Sequence, residues 1–93
     1  MSLNSPYYVY IIKCSDQTYY TGQTDNLETR IKEHNGLLKG GAKYTRGKGP
    51  VVLKHFEEYE TRSEALKREA EIKKMERAEK EKIIIAGNKL INS

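Results

Sequence analysis

Two closely spaced runs of strand-forming residues begin the patterned part of the chain. Tyr7 to Cys14 is rich in tyrosine, valine and isoleucine, side chains that suit a pleated surface, and Ser15-Asp16-Gln17 reads as a turn. Thr18 to Thr24 resumes strand character, so the two runs predict a β-hairpin. Alternation puts Tyr8, Tyr10, Ile12 and Cys14 on one face and Tyr7, Val9, Ile11 and Lys13 on the other. Apolar residues on both faces predict a central strand. Asp25 followed by Glu28 has the form of a capping box, and Leu27 with Ile31 starts an apolar stripe, so a short helix is expected to end near Asn35-Gly36. The stretch from Gly36 to Pro50 holds five of the seven glycines and is a long connection. Val51 to Tyr59 reads as a third strand. Thr61 and Glu64 form a second capping box before a helix running to about Met75, and a last helix from about Arg77 is expected to close at Gly87. The predicted order is β-β-α-β-α-α in a single domain over 6–87, with flexible ends at 1–5 and 88–93. No repeat or low-complexity tract interrupts it.

Composition narrows the class. A chain of 93 residues is expected to build one modest core, and its 37% hydrophobic and 32% charged residues describe an ordinary folded domain. The longest apolar runs, such as Ile83 to Ala86, are far below the ~20 residues of a membrane helix, and no apolar leader opens the chain, so a cytoplasmic protein is expected. A single cysteine, Cys14, excludes an internal disulfide or a cysteine-based zinc cluster. The net charge of +4 gains meaning from its distribution. Between Asn35 and His55 the chain carries Lys39, Lys43, Arg46, Lys48 and Lys54 without a carboxylate. Phosphates are the natural counterpart of such a stretch, and a solvated basic loop is the plainer alternative.

Several residues fit a purely structural role poorly. Glu69 falls among Ala65, Leu66 and Ile72 at helical spacing, which brings a carboxylate to the apolar stripe. A carboxylate there pairs with a cation, and the pattern leaves open whether that is a salt-bridge partner at the stripe's edge or a hard metal ion. Arg30 and His34, four residues apart, lie on or beside the inward side of the first helix. Arginine can grip a phosphate and histidine can transfer a proton, while pairing with a carboxylate and stacking on a tyrosine are the ordinary alternatives. Seven tyrosines against one phenylalanine supply more hydroxyls than a core needs. Tyr10 and Tyr20 lie on neighbouring predicted strands and can approach a phosphate held by Arg30. Nearby cations are expected to lower a phenol's pKa enough to help it take a proton from water.

Tyr8-Val9-Tyr10, followed by Tyr20-Thr21-Gly22, resembles the paired tripeptides of the GIY-YIG nuclease superfamily. Gly22-Gln23-Thr24 with Asn26-Leu27, Arg30, His34 and Asn35 is similar to the family's second block. Gly41 to Gly47 and Ser63 to Lys73 resemble its small single-domain bacterial branch, and the likeness extends to the nuclease domain of the excision-repair incision subunit. Tyr8 replaces the first glycine and Thr21 the isoleucine of the two tripeptides. Asn88, beyond the expected end of the last helix, is no secure match for the terminal asparagine of some members.

The resemblance implies an α+β fold, a three-stranded antiparallel sheet flanked by helices, and cleavage of DNA through one magnesium or manganese ion. In that likeness Tyr10 helps activate water, Tyr20 is a second phenol near the scissile phosphate, Arg30 steadies the phosphoryl charge, His34 assists proton transfer and Glu69 binds the metal. Lys43, Tyr44, Arg46 and Lys48 are the expected DNA contacts. Repair or recombination is the expected setting, with target choice left open to a protein partner. A nucleic-acid-binding module with weak or no cleavage is the competing reading, and a protein-interaction scaffold a third. Salt separates them, because phosphate binding weakens steeply with ionic strength.

Overall fold

The computed structural model describes residues 6–35 and 50–92, so Lys43, Tyr44, Arg46 and Lys48 lie outside the described residues. Strands β1 (Tyr7–Lys13) and β2 (Tyr19–Thr24) form the expected hairpin. In its turn the Gln17 N–H donates to the Cys14 carbonyl at 3.0 Å and the Cys14 N–H to the Thr18 carbonyl at 2.8 Å. Gln17 has φ 74°, where a side chain costs roughly 1 kcal/mol or more. The strain is held by Asp16, whose carboxylate accepts from the Thr18 N–H and hydroxyl, and by Arg77, which donates to the Gln17 carbonyl at 2.7 Å. Strand β3 (Val52–Tyr59) pairs with the other edge of β1, giving an antiparallel sheet of order β2-β1-β3 with β1 in the centre, as its two apolar faces require. The register shifts between Ile11, opposite His55, and Ile12, opposite Leu53. Lys54 is the extra residue of this bulge, and it keeps Leu53 on the face of Ile12.

Helix α1 (Leu27–His34) starts one residue later than the Asp25 capping box implied. Asn26 is the cap: its side chain accepts from the Thr29 N–H at 3.1 Å, while its own N–H donates to the Thr24 hydroxyl at 3.1 Å. Glu28 makes an ion pair with Lys32 instead of closing a box. At the other end Asn35 Oδ1 accepts from the Val51 N–H at 2.6 Å, tying together the two ends of the glycine-rich connection. Helix α2 (Arg62–Lys73) carries the complete box expected of Thr61 and Glu64. Helix α3 (Arg77–Asn92) continues through Gly87, which was expected to end it. A Cβ at Gly87 would lie 2.9 Å from His55 Nδ1, so this glycine lets α3 approach β3.

One core was expected, and the sheet divides the apolar interior in two. Val9 and Ile11 pack with Ala65, Ile72 and Ile84 under α2 and α3. Tyr10, Ile12, Cys14 and Val51 pack with Leu27, Ile31 and Leu53 on the α1 side. Both clusters draw on β1, whose fully buried Val9, Ile11 and Ile12 each contribute about 1.5–3 kcal/mol by leaving water. Leu66, expected on the buried stripe of α2, is 41% exposed because it lies a third of a turn away from Ala65. No helix among the described residues is long and apolar enough to cross a membrane.

Candidate active site

The α1 side of the sheet gathers most of the residues singled out by spacing. Tyr10 projects from the centre of β1 and is buried, and its partner across the ladder is Gly22 of β2. A Cβ at Gly22 would stand 2.5 Å from Tyr10 Oη, so the glycine vacates the space over which the phenol lies. Tyr10 Oη is 2.8 Å from His34 Nε2, and Arg30 Nε donates to the same oxygen at 3.4 Å. One helical turn separates Arg30 from His34, which is why both reach one phenol. Arg30 Nη1 also pairs with Glu33 at 2.9 Å. Tyr20 meets the His34 ring edge-to-face with centroids 5.2 Å apart and lies 6.5 Å from the Tyr10 ring.

Burial decides the charge state of this cluster. It pushes the Tyr10 phenol up to about 12, outweighing the hydrogen bond and positive charge of Arg30. The expected lowering of this phenol by neighbouring cations is therefore reversed, because the ring is enclosed between sheet and helix. Burial, reinforced by Arg30, pulls His34 down to about 4, and Glu33 offsets only part of this. Phenol and imidazole are both neutral at pH 7. The arginine N–H fills one acceptor position on Tyr10 Oη, and with the imidazole tautomer that carries its proton on Nδ1 the phenol donates to His34 Nε2. Burial also disfavours the charged form of Arg30, yet its bonds to Glu33 and Tyr10 hold the guanidinium protonated.

Glu69 stands apart from this hydrogen-bonded group. It belongs to α2, is 16% exposed and pairs with Lys73 at 3.3 Å, yet its charge still helps raise the pKa of Tyr10. Among the described residues no group of three or more histidine, cysteine or acidic side chains is placed to hold a metal. A lone hard carboxylate nevertheless fits magnesium, which keeps most of its water and takes one or two carboxylates together with substrate phosphate. Beside Arg30 a polar cleft of about 430 Å³ opens between Tyr7, Gln23, Thr24, Asp25, Glu33 and Arg62. Arg62 escaped the sequence reading because it looked like part of a capping box. The contact of Gly22 with Tyr10 becomes visible only once the strand register is known.

A family model described as the GIY-YIG catalytic domain matches residues 6–82. The chain belongs to the GIY-YIG family. Among curated relatives it is 51% identical over 85 residues to a UPF0213 protein of Haloquadratum walsbyi, covering 91% of this chain and 93% of that one. It is 57% identical over 77 residues to a UPF0213 protein of Syntrophus aciditrophicus, covering 83% and 87%. The solution structure of a protein from E. faecalis superposes with a TM-score of 0.61 at 42% identity, covering 92% of this chain and 90% of that one. That of a UPF0213 protein from Bacillus halodurans gives 0.56 at 41% identity, covering 87% and 84%. Membership of the GIY-YIG family implies a nuclease-like function, and GIY-YIG nucleases act on DNA.

Proposed function

We propose that this GIY-YIG domain is a metal-dependent DNA endonuclease acting in repair or recombination, with Tyr10, Tyr20, Arg30 and His34 as its reacting groups and Glu69 as its metal ligand. The observation that carries this reading is the position of Tyr10 Oη, 2.8 Å from the neutral His34 Nε2 and 3.4 Å from Arg30 Nε. A neutral phenol can relay a proton without ever becoming a free phenolate. Tyr10 accepts a proton from the attacking water as it passes its own to His34, and the imidazole ends the step as imidazolium. An arriving phosphodiester brings negative charge to the cluster and raises the proton affinity of His34 at the moment it is needed. Arg30 turns its charge toward the phosphoryl oxygens, and Tyr20, in edge-to-face contact with His34, bounds the site on the β2 side. Glu69 would hold a magnesium or manganese ion, whose chemistry there would be Lewis-acid stabilisation of the phosphoryl group and leaving oxygen. Lys43, Tyr44, Arg46 and Lys48 are the proposed DNA contacts.

A non-catalytic nucleic-acid-binding module is the second reading, favoured by the pairing of Glu69 with Lys73 and of Arg30 with Glu33. Incubating the purified chain with single-stranded, duplex and branched DNA in magnesium or manganese separates the two. Cleavage that is lost in chelator and with Glu69→Ala is the expected result. Salt-sensitive binding without cleavage on any substrate would replace the nuclease with the binding module.

A further inference from the structure

We propose that the polar cleft beside Arg30 is a second phosphate subsite, in which Arg62 holds a backbone phosphodiester next to the one addressed by Arg30. This rests on the nucleic-acid reading above and extends it. Arg30 comes from α1 and Arg62 from α2, helices that cover opposite faces of the sheet, and both line one cleft with Tyr7 at the start of β1 and Gln23 and Thr24 at the end of β2. A strand of nucleic acid crossing that end of the sheet would pass both guanidinium groups in turn.

The placement of Arg62 is otherwise unfavourable. It is the first residue of α2, where the positive end of the helix dipole repels a cation. The helix end is already satisfied by the Thr61–Glu64 box, so the backbone there is not the source of any anion site. Arg30, Arg68 and Arg77 each pair with a carboxylate, Glu33, Glu57 and Glu81, whereas Arg62 is exposed and without an ion pair among the described residues. An exposed arginine with no ion pair among the described residues, on the wall of a cleft shared with a proposed phosphate-binding arginine, is suited to an external anion. Two carboxylates also line the cleft. Glu33 is engaged by Arg30, which leaves Asp25 as the acidic group opposing a phosphate. Gln23 and Tyr7 add neutral polar groups to the wall.

The test measures binding to a short single-stranded DNA without divalent metal, so it does not depend on cleavage. Arg62→Ala should weaken binding about tenfold and lower the slope of log affinity against log salt by about one phosphate contact. Its melting temperature should hold or rise, since a dipole-opposed cation has been removed. Lys82→Ala, which removes an exposed charge on α3, should change neither binding quantity. A methylphosphonate scan then neutralises one phosphate at a time. Wild-type protein should lose affinity at a position where Arg62→Ala is indifferent, and Asp25→Asn should tighten binding only when that phosphate is charged. If Arg62→Ala keeps the wild-type profile at every position, or behaves as Lys82→Ala does, the subsite is overturned while the nuclease reading stands. If the protein cleaves nothing but the position-specific difference persists, the subsite stands and the nuclease reading falls.

Discussion

On the face covered by α2 and α3, Glu57 of β3 accepts hydrogen bonds from Tyr59 at 2.6 Å and Arg68 at 2.8 Å, and its other oxygen is 2.8 Å from His55 Nε2. On the face covered by α1, Tyr10 lies among His34, Arg30 and Tyr20. Both groups are enclosed by a helix and anchored on neighbouring strands, yet their electrostatics run in opposite directions. Burial opposes the charge of Glu57, but hydrogen bonds from His55, Arg68 and Tyr59 outweigh it and hold the carboxylate near 2. Burial prevails at Tyr10 and His34, leaving both neutral with pKa values of about 12 and 4. Glu57 is thus fixed in one charge state, as a structural clamp should be. The Tyr10 cluster holds a proton between two groups whose balance an arriving anion can tip.

Breaking the clamp should have the largest effect. Glu57→Gln leaves Arg68 without its main partner and should lower stability by about 3–5 kcal/mol, read as a fall in chemical-denaturation midpoint. Any cleavage that remains below the new melting temperature should keep the wild-type pH profile, since Glu57 does not touch the proposed reacting groups. Gly22→Ala is the complementary break on the other face. Its methyl group would meet Tyr10 Oη at 2.5 Å, and moving that phenol by about 1 Å should cut single-turnover cleavage on the order of 100-fold.

The two faces should also separate by pH. His34 falls from its ordinary 6.5 to about 4 on folding, so the unfolded chain takes up a proton in this window that the folded chain refuses. Stability from this group is complete above about pH 6.5 and is lost as pH falls toward 4, by roughly 2–3 kcal/mol. Glu57, depressed from 4.5 to about 2, acts in a lower window, with stability present above 4.5 and lost below it. His34→Gln should flatten the first slope and spare the second; equal slopes in wild type and variant would show that burial does not set the state of His34. The smallest effect belongs to Thr21, whose hydroxyl is buried with no partner among the described residues. Thr21→Val should raise stability by about 1 kcal/mol, because it removes an unsatisfied polar atom at nearly constant volume.

The same contrast explains what could be read from the sequence. Alternation exposed β1 as the central strand, and the spacing of Arg30 and His34 placed both on one side of α1. These are local periodicities, which backbone geometry converts directly into neighbours. The Glu57 network was hidden because His55, Glu57 and Tyr59 alternate along an ordinary-looking strand and their partner Arg68 lies on another element. The direction of the Tyr10 shift was misread for a related reason, since adjacent charges can be seen in a sequence and desolvation cannot. Gly87 followed a local rule for helix ends, but tertiary packing against His55 overrode it. Asp25 lost the cap to Asn26 through the Thr24 hydroxyl, a bond that forms only when β2 ends where it does.

The neutral Tyr10–His34 pair, and not the Glu57 clamp, is the group proposed to perform chemistry on a phosphodiester. The most direct measurement is single-turnover cleavage in manganese by Tyr10→Phe, with denaturation run on the same preparation. The expected result is a loss of at least about 100-fold in rate with DNA affinity unchanged, because only the relaying hydroxyl is removed. Cleavage at the wild-type rate by a folded Tyr10→Phe protein would contradict the claim and leave the α1 face as a second structural network.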